Sequence, residues 1–212
     1  MISSRFYGTE NGQKTGYSQK PLTLPDSVQD ATEMKKQLPV AQCFVYAADS
    51  WMHSGTDKLP PHVLTLTTDR YDDEPADKST QQIRQQVTFS DGFGRILQQS
   101  ARFEDGDAFH RNKNGSLAAG SRKSEKETAR WAVSGRTEYD NKGHAVRTYQ
   151  PYFVNDWRYV SDDSARQDLY ADTHCYDPLG REHQVITAKG YQRRTLYTPW
   201  FVVSEDENDT AE

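Results

Sequence analysis

"THCYDPLGREHQVITAKGYQRRTLY" spans Thr173–Tyr197 and holds Tyr176-Asp177-Pro178-Leu179-Gly180-Arg181 between two strand-like stretches. Two readings compete for this order of acid, proline, glycine and base. Asp177 and Arg181 are the working charges of a site, or the whole unit is a turn. Turn chemistry accounts for every position. An aspartate at the first position accepts backbone N–H bonds from the residues after it, and proline at the second fixes φ near −65°. Glycine at the fourth supplies the positive φ that closes a hairpin. A long polar residue then opens the returning strand.

The unit recurs. Asp91-Gly92-Phe93-Gly94-Arg95, Asp140-Asn141-Lys142-Gly143-His144 and Asp177-Pro178-Leu179-Gly180-Arg181 all fit D-x-x-G-[RH]. An aromatic stands before each, Phe89, Tyr139 and Tyr176, and an apolar pair follows each, Ile96-Leu97, Ala145-Val146 and Val185-Ile186. Asp91, Gly94, Arg95, Asp140, Gly143, Asp177, Pro178, Gly180 and Arg181 are therefore read as structural turn residues, with Phe89, Tyr139 and Tyr176 packing on sheet faces. None is assigned to catalysis, to a cofactor or to a metal.

Composition supports thin β-structure. Hydrophobic residues make up 34% of the 212, below the roughly 45–50% (glycine included) of ordinary domains, yet 11% are aromatic. Mean hydropathy is −0.96. A chain rich in tyrosine and poor in leucine suits sheets with much solvated surface. A single-layer strip buries less per residue than a globule and tolerates so few apolar residues. It also exposes strand edges that favour association.

Charge argues against nucleic acid as a partner: the formal net charge is −5, and nucleic-acid binders carry basic faces. One basic stretch, Arg111–Arg130, is interleaved with Gly, Ser and Asn and reads as a solvated loop. Cys43 and Cys175 form no CxxC site; two free thiols are the reading, a single bridge the alternative. The opening MISSRFYGTE lacks the pattern of a signal peptide, and no run reaches the roughly 18 apolar residues of a membrane span.

Along the chain, residues 1–39 read as an irregular or edge-strand segment with one short helix near residues 27–38. There Val28, Ala31, Met34 and Leu38 recur at helical spacing, Asp26 or Ser27 caps the start and Pro39 stops it. Residues 40–203 read as antiparallel hairpins in an open strip, interrupted by a long loop at 104–126. Residues 204–212 form an acidic tail with five carboxylate side chains, expected to fray.

The D-x-x-G-[RH] recurrence resembles the RHS/YD family, whose repeats read roughly YDxxGR with strands on both sides. "VTFSDGFGRILQQSARF", "WAVSGRTEYDNKGHAVRTYQPYF", "VSDDSARQDLYADTHCYDPLGRE" and "TAKGYQRRTLYTPWFVVSEDENDTA" resemble, in that order, the C-terminal part of the B component of insecticidal toxin complexes. The resemblance is specific from about Val40 onward. It implies a mainly β fold, an RHS/YD-type sheet strip that helps form a hollow shell around the toxic part of the C component. It implies as partners the C component and the upstream remainder of the B component, with the A-component channel reached indirectly. It implies no cofactor, no membrane contact by this segment, and an extracellular location after export. The family's aspartyl protease belongs to the C component, and no DPxGxDGG-type block occurs here, so no catalytic residue is carried over.

Two further readings come from the residues. A carbohydrate-active hydrolase would need paired carboxylates, for which Asp162, Asp163, Asp168 and Asp172 near Trp157, Tyr159 and Tyr170 are candidates. A metal site would draw on His144, His174, Cys175 and His183; adjacent strand residues face opposite ways, so His174 and Cys175 do not readily share an ion.

Overall fold

The computed structural model describes residues 2–53, 58–72, 80–123 and 129–210. In chain order the elements are β1 (Ile2–Ser4), β2 (Tyr7–Glu10), β3 (Gln13–Gly16), α1 (Val28–Thr32), β4 (Gln42–Ala47), β5 (His62–Thr68), β6 (Ile83–Ser90), β7 (Ile96–Phe103), β8 (Ala108–Arg111) and β9 (Leu117–Lys123). Then come β10 (Arg130–Ser134), β11 (Thr137–Tyr139), β12 (Ala145–Tyr149), β13 (Tyr152–Val154), α2 (Asp162–Asp168), β14 (Ala171–Tyr176), β15 (Glu182–Ile186), β16 (Gln192–Tyr197) and β17 (Val202–Glu205). The protein is mainly β, as the hairpin pattern implies. One sheet runs β1-β4-β5-β6-β7-β10-β13-β8-β9, a second runs β11-β12-β14-β15-β16-β17, and β2 and β3 pair alone. Neighbours are antiparallel except β13 and β8. Neither sheet closes into a barrel.

The nine-stranded sheet owns the core. Val45, Leu64, Val87, Ser100, Val133 and Tyr152 are successive cross-strand partners, and all are buried. Strict alternation produces this: in β5, His62, Leu64 and Leu66 point inward while the residues between them do not. The covering layer consists of α1, Leu38, Val40 and the stretch carrying Trp157, Val160 and Ala165. Phe89, fully buried, stacks on Trp157 at 6.2 Å, and His62 sits 4.9 Å from Phe89. Burial pulls the His62 pKa below its usual value, against a backbone hydrogen bond to Pro60 that raises it.

The six-stranded sheet buries Glu138 and Tyr149 at its β11–β12 end and is a single layer from β14 outward. Its equivalent row, Cys175, Gln184, Arg194 and Glu205, is polar apart from the cysteine and open to solvent at Gln184's outer neighbours. From β14 outward, Val185 is its one buried residue among those described.

The short helix expected in the N-terminal segment is present, and three local details differ from expectation. The helix expected near residues 27–38 covers only Val28–Thr32, with Ser27 as N-cap accepting from Asp30 N at 3.0 Å. It stops early because two glutamines take the backbone beyond it: Gln85 Nε2 donates to Thr32 O, and Gln81 binds both the amide and the carbonyl of Leu38. The stretch 104–126, expected as a loop, contains β8 and β9; only its residues 124–126 lie outside the described residues. Few apolar positions betray these strands, Ala108 and Leu117 being the buried ones. A second helix, α2, went unforeseen. It buries only Ser164 and Ala165, too little for a periodic signal, and forms with Asp162 and Asp163 in its first turn, where the helix dipole favours anions.

Candidate functional site

The three aspartate corners share one geometry. Each aspartate's carbonyl accepts from the glycine three residues on: Gly94 to Asp91 at 3.1 Å, Gly143 to Asp140 at 3.1 Å, Gly180 to Asp177 at 2.9 Å. One carboxylate oxygen accepts from the amides at the third and fifth positions, Phe93 and Arg95, Lys142 and His144, Leu179 and Arg181. The other oxygen binds the fifth side chain, Arg95 at 2.6 Å, His144 at 3.0 Å and Arg181 at 2.7 Å. The second amide takes part in none of these bonds, which is why Pro178 fits there. Gly94, Gly143 and Gly180 have φ of 81°, 92° and 82°, where a side chain is strained.

These bonds set the charge state. Asp177 is held below the usual carboxylate range by the Arg181 amide and then by the Arg181 side chain. At Asp91 and Asp140 desolvation is the largest single influence and raises the pKa, but the hydrogen bonds from Arg95 and Phe93, or from His144 and Lys142, together outweigh it and the net shift is downward. Three of the roughly four acceptor directions of each carboxylate are spent on its own turn.

The corners also stack in series, which sequence reasoning missed. Arg95 lies over the Tyr139 ring at 4.5 Å, His144 stacks on Tyr176 at 4.6 Å, and Arg181 lies over Tyr197 at 4.4 Å. Each tyrosine hydroxyl donates back across the gap, Tyr139 to Ile96 O, Tyr176 to Ala145 O and Tyr197 to Glu182 O, always to the residue after the stacked one. Arg95 and His144 also crowd the next corner's glycine: an added Cβ would lie 2.7 Å from Arg95 Nη1 at Gly143 and 3.0 Å from His144 Nε2 at Gly180. The fifth residue of one corner thus meets the tyrosine of the next and, at the first two rungs, its glycine as well. The first rung, Arg95–Tyr139, ties the nine-stranded sheet to the six-stranded one.

Phe89 does not belong to this series. A register shift falls between Phe89 and Ser90, between Glu138 and Tyr139, and between Cys175 and Tyr176. Ser90, not Phe89, is therefore the counterpart of Tyr139 and Tyr176. One residue along a strand changes the face, and Phe89 goes to the core.

Three more corners lack the aspartate. Asn112–Ser116 and Thr187–Tyr191 repeat the backbone bonds, with Gly115 at φ 86° and Gly190 at φ 88°. Thr198–Phe201, following Tyr197, makes a shortened version in which Thr198 Oγ1 accepts from Phe201 N at 2.9 Å. Their signal was the shared spacing of a short polar residue and glycine, or of threonine and proline.

The remaining candidates are placed apart. Asp162 binds Arg136 at 2.5 Å and Tyr159, Asp163 projects fully into solvent, Asp168 accepts from Ser164, and Asp172 accepts from the Ala188 amide. No two of them share a partner in these bonds. His174 spends both ring nitrogens, on Glu182 at 2.6 Å and Thr148 at 2.9 Å. Among the described residues no group of three His, Cys, Asp or Glu side chains is placed to hold a metal ion. Cys43 and Cys175 are free, and burial pushes the Cys43 thiol up to about 11. In the basic stretch, Arg111 is buried against Tyr159 O and Asp156, and Arg130 binds Glu104 O and covers Phe153 at 4.4 Å. The acidic tail folds back on β16 up to Thr210, with Glu205 near Arg194 and Glu207 near Arg193.

A buried joint also went unforeseen. Arg136, 1% exposed, lies 4.4 Å above Tyr159 and 5.4 Å above Tyr149 and reaches Asp162. Tyr149 donates to Glu138, which Arg166 of α2 also binds at 2.8 Å. Burial alone would lower the Arg136 pKa; Tyr159 and Asp162 reverse that, and the guanidinium stays charged.

No protein-family model matches the chain, and no curated protein matches it. Solved structures do. A TcdB2-TccC3 crystal structure matches 99% of the chain at 63% identity with a TM-score of 0.88, over 10% of its own chain. A TcdB2-TccC3-Cdc42 crystal structure matches 99% at 50% identity, TM-score 0.86, over 12% of its chain. The Photorhabdus luminescens Tc holotoxin pore matches 97% at 50% identity, TM-score 0.86, again over 12%. The chain therefore spans about a tenth of the length of the chains it matches. At this identity and coverage it is the counterpart of one segment of toxin-complex chains, in line with the resemblance its YDxxGR-type blocks carry.

Proposed function

We propose that this chain is a structural segment of a toxin-complex B component, adding hairpins to a hollow β-shell that encloses the toxic part of the C component for delivery into host cells. Its partners are then the C component and the remainder of the B component, with the A-component channel reached indirectly, and it works outside the producing cell. The observation that carries this reading is the six-stranded sheet: from β14 outward a layer with a single buried residue among those described, Val185, held together at one rim by stacked corners. Such a layer suits a wall better than a globule with a cleft. Each corner carboxylate accepts three hydrogen bonds from its own turn, which supports scaffolding over catalysis. The hydrolase reading has no such support, since Asp162, Asp168 and Asp172 each bind a different structural partner and Asp163 projects into solvent.

The test is cargo protection. A full-length B component carrying this segment is assembled with its C component and challenged with protease. The enclosed toxic part should survive with the native segment and be digested when Asp91, Asp140 and Asp177 are all changed to Ala. Survival with the whole segment deleted would overturn the reading.

A further inference from the structure

The two sheets share one ribbon of strands. β10 and β13 pair through Val133 and Tyr152. The same register runs on through Tyr149 N, which donates to Arg136 O at 2.9 Å, to the Thr137–Thr148 pair of β11 and β12. On a flat ribbon, positions three residues apart face opposite sides. Here Val133, Tyr152, Arg136 and Tyr149 are all buried. The ribbon therefore bends between them, at Gly135 with its φ of 60° and at Gln150-Pro151 opposite, and all four side chains lie on the inside of the bend.

Two polar groups inside the bend are left over. Arg136 is 1% exposed and Tyr152 8%. Arg136 spends Nη1 and Nη2 on Thr137 O, Val160 O and Asp162. Its Nε–H and the Tyr152 hydroxyl have no hydrogen-bond partner among the described residues. The register brings the two together, and the charges of Arg136 and Arg111 both act on the Tyr152 hydroxyl. A buried group whose hydrogen bond goes unmade costs its full desolvation. The Nε–H can only donate, and a hydroxyl beside two guanidinium groups is turned to donate as well. What both require is an acceptor.

Charge narrows the choice of acceptor. The ion pairs around the bend join Arg111 and Arg158 to Asp156, Arg136 to Asp162 and Arg166 to Glu138, so four cations face three anions. Asp163, 3.9 Å from Arg166, projects into solvent and adds little. Arg111 is the cation left short. Its side chain is 4% exposed, its contact with Asp156 is 3.4 Å long, and Arg158 shares that carboxylate at 3.1 Å. Burial lowers the Arg111 pKa, and Asp156 does not make up for it. A water molecule would accept both hydrogen bonds and leave the excess charge in place. A monovalent anion would answer both.

We propose that the inside of this bend binds one small monovalent anion of halide size, held between Arg136 Nε–H and the Tyr152 hydroxyl beside Arg111. The ion ties the β10–β13 part of the ribbon to the β11–β12 part, so the joint between the two sheets tightens as halide concentration rises.

A crystal structure of the full-length B component with its C component, grown in sodium bromide, tests the site. Anomalous scattering should place one bromide between Arg136 and Tyr152; a water molecule there, or an empty site, overturns the proposal. Hydrogen exchange on the same assembly then asks whether the ion matters to the protein. Peptides covering Arg130–Val154 should exchange more slowly in sodium chloride than in sodium gluconate of equal concentration. The difference should reach about tenfold once chloride exceeds its dissociation constant tenfold. Tyr152→Phe should abolish it, whereas Tyr149→Phe, whose hydroxyl already serves Glu138, should keep it. Equal exchange in both salts means an adventitious ion only and overturns the proposal, as does a chloride effect that survives Tyr152→Phe.

Discussion

The two sheets are made of similar hairpins but are stabilised in different ways. In the nine-stranded sheet, one face carries a continuous buried row, apolar but for Ser100, covered by α1 and the Trp157–Ala165 stretch, so burial holds it. From β14 outward in the six-stranded sheet little is buried, and what holds the hairpins in order is at their ends: a bonded aspartate, a glycine at positive φ, and a cation or imidazole on the next tyrosine. Apolar residues are thus used unevenly: those of the first sheet are buried in a core, while Leu196, Val202 and Val203 of the wall beside it stand exposed.

The sharpest way to break this contrast is to cut into each sheet equally. Phe89→Ala removes a fully buried ring and should cost about 3–5 kcal/mol, whereas Val185→Ala in the six-stranded sheet should cost about 1 kcal/mol. Urea midpoints of the two variants measure both. Equal losses would mean that the second sheet has a core of its own.

The joint between the sheets comes next. Arg136→Met keeps the packing volume but strips the charge that faces Asp162 and two tyrosine rings. With Arg136 buried and Asp162 half-exposed, about 3 kcal/mol is expected, at the low end for breaking a buried pair. The loss should appear as faster hydrogen exchange in β11 and β12, with β5 and β6 unchanged.

Acid should separate the sheets more gently. Asp91, Asp140 and Asp177 all have folded pKa values below their unfolded ones. Their contribution is therefore complete above the unfolded carboxylate pKa of about 4 and is lost as pH falls through the folded values. Two of the three corners belong to the six-stranded sheet, so amides of β14 and β15 should lose protection below about pH 4 before those of β5 and β6.

The smallest effect is expected from Asp177→Asn. It keeps an oxygen for the Leu179 and Arg181 amides and loses the pairing with Arg181, much as Asn112 serves its own corner. Exchange at those two amides should rise only a few-fold, less than for Asp177→Ala.

What the sequence made legible was local. An acid, a glycine and a base at fixed spacing dictate a corner wherever they occur, and all three predicted corners close as hairpins. The Asn112, Thr187 and Thr198 corners escaped because the same backbone is reached with a weaker first residue. Phe89 was grouped with the tyrosines because a bulge before the aspartate shifts the face, and one residue of register is invisible in spacing. The rungs, the Arg136 joint and the division into two sheets rest on contacts between residues far apart in the chain. Arg95 and Tyr139 meet only because β10 joins the first sheet and β11 starts the second.

Hydrogen exchange on β14–β17, in this chain alone and within the full-length toxin-complex protein, tests most directly whether a wall and a core lie side by side. Alone, these amides should exchange far faster than those of β5–β7, and in the complete protein they should slow to comparable rates as neighbouring hairpins cover the layer. Equal and unchanged protection in both settings would contradict that, because the six-stranded sheet would then be stable without any neighbour.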